Sequence, residues 1–78
     1  MTPHCTIEHL LRERAPGGTI CPSEVARALW SGDEWREHME DVHTSVDEML
    51  ADGTIRLSWK GVPMDNRDGP YRIALADR

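Results

Sequence analysis

No apolar run in this chain exceeds four residues, the longest being Ile73-Ala74-Leu75-Ala76. A membrane-spanning helix needs ~20, so no span is expected. The opening Met1-Thr2-Pro3-His4-Cys5 lacks the basic start and apolar stretch of a secretory leader. Two cysteines cannot make a disulfide framework, and a reducing cytoplasm is the expected setting. Positive charge is also scarce. Lys and Arg total 9 against 14 Asp and Glu, a net charge of −5, with pI ≈ 5.2. Proteins that coat nucleic acid have pI above ~9, so non-specific DNA coating and anionic membranes are both disfavoured.

Catalytic signatures are missing as well. There is no Gly-x-Ser-x-Gly elbow, no phosphate-cradling glycine loop and no His-Glu-x-x-His. A chain of 78 residues has little room for an enclosed pocket of ~300 Å³. Neither an enzyme nor a cofactor is expected. Cys5 and His9 share a helix face, and Cys21 would be a third ligand, yet no zinc-type spacing is present. His38 and His43 fall on different faces. No metal site is expected, and Cys21 reads as a small buried hydrophobe.

What the sequence does contain is the pattern of one small folded domain over residues 1–78, with its core within 3–76. Apolar residues make up 38% of the chain, beside 6 glycines, close to the ordinary globular share of ~45–50%. Ile7, Leu10 and Leu11 mark one helix face, started at Thr2-Pro3 and stopped at Pro16-Gly17-Gly18. Thr19-Ile20-Cys21 fits a short strand. Pro22 then opens a second helix with the stripe Val25, Ala26, Leu29. Ser31 and Glu34 have capping-box spacing, flanked by Trp30 and Trp35 at the staple positions. A short Gly-containing link between two helices is the helix-turn-helix connection. The third helix reads as one long element with the stripe Trp35, Met39, Val42, Val46, Met49, Leu50, ended by Gly53.

After Gly53 the period becomes two. Ile55, Leu57 and Trp59 alternate with Arg56, Ser58 and Lys60, and Tyr71, Ile73 and Leu75 with Arg72, Ala74 and Ala76. Antiparallel pairing would set Trp59 opposite Tyr71 and Ile55 opposite Leu75. It would also put Arg56, Ser58, Lys60 and Arg72 on the outer face. Residues 60–70, rich in turn formers, read as a loop. The order is that of an α+β winged helix-turn-helix, three helices with a small antiparallel β-hairpin as the wing.

A resemblance follows from particular segments. The run Thr19-Ile20-Cys21-Pro22-Ser23-Glu24-Val25-Ala26-Arg27-Ala28-Leu29 resembles the signature of the bacterial DUF3253 family, whose function is unknown. Glu34-Trp35-Arg36, Gly53-Thr54-Ile55, Lys60-Gly61-Val62-Pro63-Met64-Asp65 and Gly69-Pro70-Tyr71-Arg72-Ile73 extend it. The resemblance implies a winged-helix fold and transfers no site residue. In one respect the chain departs from it: the family tends to carry arginines on the third helix, where this chain carries acids.

Charge is unevenly distributed. Residues 33 to 52 hold eight acids (Asp33, Glu34, Glu37, Glu40, Asp41, Asp47, Glu48, Asp52) against Arg36, a net of −7. The third helix of a helix-turn-helix protein enters the major groove, where phosphates supply one negative charge per ~1.7 Å. Such a helix would be repelled. Residues 53 to 78 carry Arg56, Lys60, Arg67, Arg72 and Arg78 against Asp65, Asp68 and Asp77, a net of +2.

Two functions follow as expectations. The first is nucleic-acid binding with a transcription-regulatory role, through the wing (Arg56, Lys60, Arg67, Arg72) and the second helix (Ser23, Arg27). The bland alternative is charged residues protecting exposed strands. The second is a protein-interaction module that presents Trp30, Glu37, Glu40 and Asp41 to a basic partner. Trp35 and Trp59 fit the core, and Trp30 is expected to be partly exposed. Monomer and homodimer both remain open, since pairing would hide the acidic helix.

Overall fold

The computed structural model describes residues 2–14 and 17–76. Helix α1 spans Pro3–Glu13. Its start follows from chemistry: the Thr2 hydroxyl accepts a hydrogen bond from the Cys5 N–H at 3.2 Å, and Pro3 occupies a position whose N–H would go unused. The helix stops at Glu13, where the Arg14 N–H turns back to the Leu11 carbonyl. Pro16, the expected stop, lies outside the described residues.

Helix α2 spans Pro22–Leu29. Glu24 reaches back to accept a hydrogen bond from the Cys21 N–H at 3.3 Å, one half of a capping box. Cys21 is therefore a half-buried cap residue rather than the buried hydrophobe expected. The box expected at Ser31–Glu34 does not form. There the Glu34 N–H donates to the Ser31 backbone carbonyl at 3.3 Å, and the segment begins at Asp33 with no side-chain cap.

The long third helix is two pieces. A 3₁₀ helix runs over Glu34–His38 and α3 over Met39–Ala51. Four steps leave Trp35 and Met39 about 40° apart in an α-helix and about 120° apart in a 3₁₀ helix, yet both residues still pack against the core. The join is at His38, whose φ of −105° and ψ of 8° depart from helical values. Gly53 closes α3 with φ +77°. Its N–H donates to Leu50 O and that of Thr54 to Met49 O, both at 3.1 Å, satisfying two terminal carbonyls.

Three strands follow: β1 Ile55–Trp59, β2 Val62–Met64 and β3 Arg72–Leu75, in the antiparallel order β2-β1-β3. The expected Ile55–Leu75 pairing is present. The 60–70 loop, however, contains β2. Lys60 and Gly61 have φ of 52° and 81°, the two positive values of a type I′ hairpin turn. Trp59 pairs with Val62 across that turn, and Ser58 with Pro63. The turn makes Trp59–Val62 the hydrogen-bonded pair, so Ser58–Pro63 falls at a non-bonded position. The missing N–H of Pro63 then costs no ladder bond.

On the other side of β1 the pairing with β3 has the expected register and ends at Ser58–Arg72, one step short of Trp59 and Tyr71. The 40% exposure of Trp59 removes it from the core. Tyr71 is buried just before β3. A bridge ties Ile20 to Ile73 through bonds of 2.9 and 2.8 Å. Ile7, Ile20, Val46, Leu57 and Ile73 centre the core, with Trp30 and Trp35 half-buried against it. The result is an α+β fold of three α-helices and a three-stranded sheet, compatible with a winged helix, with a three-stranded wing in place of the simple hairpin expected.

Candidate functional site

The third-helix region carries the largest charge asymmetry. Val42, Val46 and Met49 take its inner face, which sends the intervening residues outward. All eight acids between residues 33 and 52 are exposed. Asp41 meets His38 Nδ1 at 3.2 Å, and Glu48 meets His4 Nε2 at 3.5 Å. Among the described residues, Asp47 alone of these acids pairs with an arginine, receiving Arg67 Nε and Nη2 at 2.7 and 3.0 Å. That fork holds the Asp47 carboxyl below its ordinary pKa. Glu37 and Glu40 have no ion-pair partner among the described residues. Trp30, at the edge of this face, stacks on His38 with centroids 4.1 Å apart and planes 8° from parallel.

The wing cations do not share one surface. Arg67 folds toward α3 through Asp47. Arg72 turns to the segment before α2, where its Nε donates to Thr19 Oγ1 at 2.7 Å and its Nη2 to Thr19 O at 3.2 Å. Arg56 is exposed on β1, and Lys60 is exposed at the hairpin tip. Ser58 and Arg72 are cross-strand partners, so they share the outer sheet face as the alternation predicts. Lys60 has left the strand and belongs to the turn.

On α2, Ser23 Oγ lies 2.9 Å from Cys21 Sγ. Arg27 is exposed, with its guanidinium carbon 4.8 Å from the Trp35 ring centroid. Arg36 approaches the same ring at 5.2 Å. The sequence reading counted Arg36 only as one base among eight acids. Its place beside Trp35 in the chain was the available signal.

A second polar pair escaped the sequence reading. His43 Nδ1 lies 2.6 Å from the Tyr71 hydroxyl, joining α3 to the start of β3. Burial lowers the His43 pKa, and the nearby Arg67 charge lowers it further against the opposing pull of Asp47 and Glu40. Burial raises that of Tyr71. Both therefore stay neutral at pH 7, and the imidazole tautomer sets which of the two donates.

Two open depressions flank the wing. One, of about 450 Å³, lies between α3 and the loop at Asp65, Asn66 and Arg67. The other, of about 350 Å³, lies at the hairpin tip against Trp59, Val62, Met64 and Pro70. Among the described residues, no three His, Cys, Asp or Glu side chains converge to hold a metal ion, and no helix is long and apolar enough to cross a membrane.

A family model described as "Protein of unknown function (DUF3253)" matches residues 3–76. Among curated proteins, none matches the chain.

Proposed function

The chain belongs to the DUF3253 family of proteins of unknown function, and on that premise we propose that it is a protein-interaction module presenting the acidic face of its 3₁₀ helix and α3 to a basic partner. One observation carries the reading. Every acid between residues 33 and 52 is exposed, and among the described residues only Asp47 is neutralised by a permanent cation. The partners of Asp41 and Glu48 are histidines, which are not permanent cations. A surface of one sign steers an oppositely charged partner and speeds its association. Glu37, Glu40 and Asp41 form the middle of the surface, with Trp30 at its rim.

Nucleic-acid binding through the wing and α2, with a regulatory role, is the other use of such a scaffold. It draws on Arg56, Lys60, Arg67 and Arg72 as phosphate contacts. Arg67 and Arg72 already hold intramolecular partners, and α3 opposes a phosphate backbone. The acidic-face reading has more support.

The test is fluorescence anisotropy with two probes at low and moderate salt: a labelled lysine/arginine-rich peptide and a labelled random duplex. The peptide is expected to bind, to weaken with salt, and to be lost in a Glu37→Gln/Glu40→Gln/Asp41→Asn variant. Duplex binding lost in an Arg56→Ala/Lys60→Ala/Arg72→Ala variant, with no peptide binding, would overturn the proposal in favour of the wing.

A further inference from the structure

Four arginines of this acidic chain have a carboxylate or threonine partner among the described residues. Arg12 meets Glu8, Arg14 meets Glu24, Arg67 meets Asp47, and Arg72 is bound to Thr19. Arg27 and Arg36 are different. Their recorded contact is with the face of Trp35, at 4.8 and 5.2 Å, and neither has an ion pair among the described residues. This is so although Asp33, Glu34 and Glu37 are close neighbours of Arg36 in the chain. Two exposed guanidiniums from different elements, α2 and the 3₁₀ helix, therefore converge on one indole.

That geometry leaves a specific capacity unused. A guanidinium over a ring is held by its face through cation–π attraction. Its N–H groups lie in the guanidinium plane and remain available at the edges. The indole packs against the core, so the platform is fixed before any ligand arrives, and less ordering is needed on binding. At 4.8 and 5.2 Å from one centroid, the two guanidinium carbons are at most about 10 Å apart. Two planar forks with free edges match the tetrahedral oxygens of a phosphate, which arginine binds through paired hydrogen bonds.

We propose that Arg27 and Arg36, braced on Trp35, form a phosphate-binding site at the junction of α2 and the 3₁₀ helix. The phosphate comes from a free phosphate-bearing small molecule or from a nucleic-acid strand. The site shares no residue with the Glu37, Glu40 and Asp41 surface, so either proposal can fail without the other.

The experiment is a pair of NMR titrations at low salt, following the Trp35 indole N–H and the Arg27 and Arg36 Nε–H signals. One probe is inorganic phosphate, and the other is oligothymidylate of about ten nucleotides, long enough to track a binding surface. The variants are Arg27→Ala/Arg36→Ala and the conservative Arg27→Lys/Arg36→Lys, each checked by circular dichroism. Saturable shifts at all three side chains are expected with at least one probe. Affinity should fall about tenfold or more in the alanine variant and substantially in the lysine variant, which keeps charge but loses the planar fork. Saturation with inorganic phosphate and no tighter binding of the oligonucleotide would identify a small phosphate-bearing ligand. Tighter, salt-sensitive binding of the oligonucleotide would identify a strand. Unmoved signals with both probes, or equal affinity in the alanine variant, would overturn the site.

Discussion

The Tyr71 hydroxyl and His43 Nδ1 share a hydrogen bond of 2.6 Å, pinning the start of β3 to the middle of α3. Their rings meet at an angle of 57° with centroids 5.6 Å apart, so the contact is a hydrogen bond rather than a stack. Tyr71→Phe keeps the buried ring and removes the bond, and should cost about 0.5–1.5 kcal/mol.

The same pair sets a pH dependence. Burial and Arg67 lower the His43 pKa from its ordinary 6.5. Between the ordinary and the lowered value, the unfolded chain binds a proton that the folded chain refuses. Stability from this group is therefore complete above about pH 6.5 and declines as pH falls through the window below it. Urea midpoints at about pH 7.5 and about pH 5 should differ less in His43→Gln than in the parent chain. Equal slopes in the two proteins would exclude His43 as a source.

Arg67 and Asp47 close a bidentate pair between the wing loop and α3. Both are substantially exposed, at 35% and 50% of side-chain area, so solvent screens the pair. A double-mutant cycle with Arg67→Ala and Asp47→Ala should give a coupling of about 0.2–1 kcal/mol. That coupling should shrink as salt is raised toward ~1 M, where the Debye length falls to ~3 Å. A coupling indifferent to salt would contradict the assignment.

Lys60 holds φ of 52° at the hairpin tip, a conformation that asparagine adopts with less strain. Lys60→Asn creates the favoured Asn-Gly turn and should raise stability by up to about 1 kcal/mol. Gly61→Ala should lower it, because φ there is +81°. Thermal melts of the two variants should move in opposite directions.

Ile73 is fully buried, pairs with Leu57, and bridges to Ile20. Ile73→Ala should cost about 2–5 kcal/mol through lost burial and the cavity left behind. That is a large part of the ~5–15 kcal/mol available to a domain. The denaturant midpoint should fall while the slope holds.

Local chemistry made much of the fold legible. Thr2-Pro3 starts a helix by capping, Gly53 ends one by positive φ, and the change from period four to period two after it marks the sheet. Ile55 was correctly set against Leu75. Strand β2 was not legible, because Lys60-Gly61 lacks the familiar Asn-Gly turn signal and Pro63 reads as a loop residue until its register is known. Alternation put Trp59 on the inner face but carries no information on how deeply a residue at the strand end is buried. The partners of the candidate site residues lie far away in the chain. Arg67 finds Asp47 twenty positions back, Arg72 finds Thr19 fifty-three positions back, and His43 finds Tyr71 twenty-eight positions ahead. Those contacts follow from packing, which periodicity does not encode. The acidic surface was legible because helical periodicity already separates its acids from Val42, Val46 and Met49.

The most direct test of the acidic-face account is a backbone amide spectrum of the labelled protein, recorded with an unlabelled lysine/arginine-rich peptide and separately with duplex DNA. The account predicts that the peptide shifts amides around Glu34, Glu37, Glu40 and Asp41 and leaves the wing unmoved. Duplex-induced shifts at Arg56, Lys60 and Arg72, with the amides of residues 34 to 41 silent toward the peptide, would contradict it.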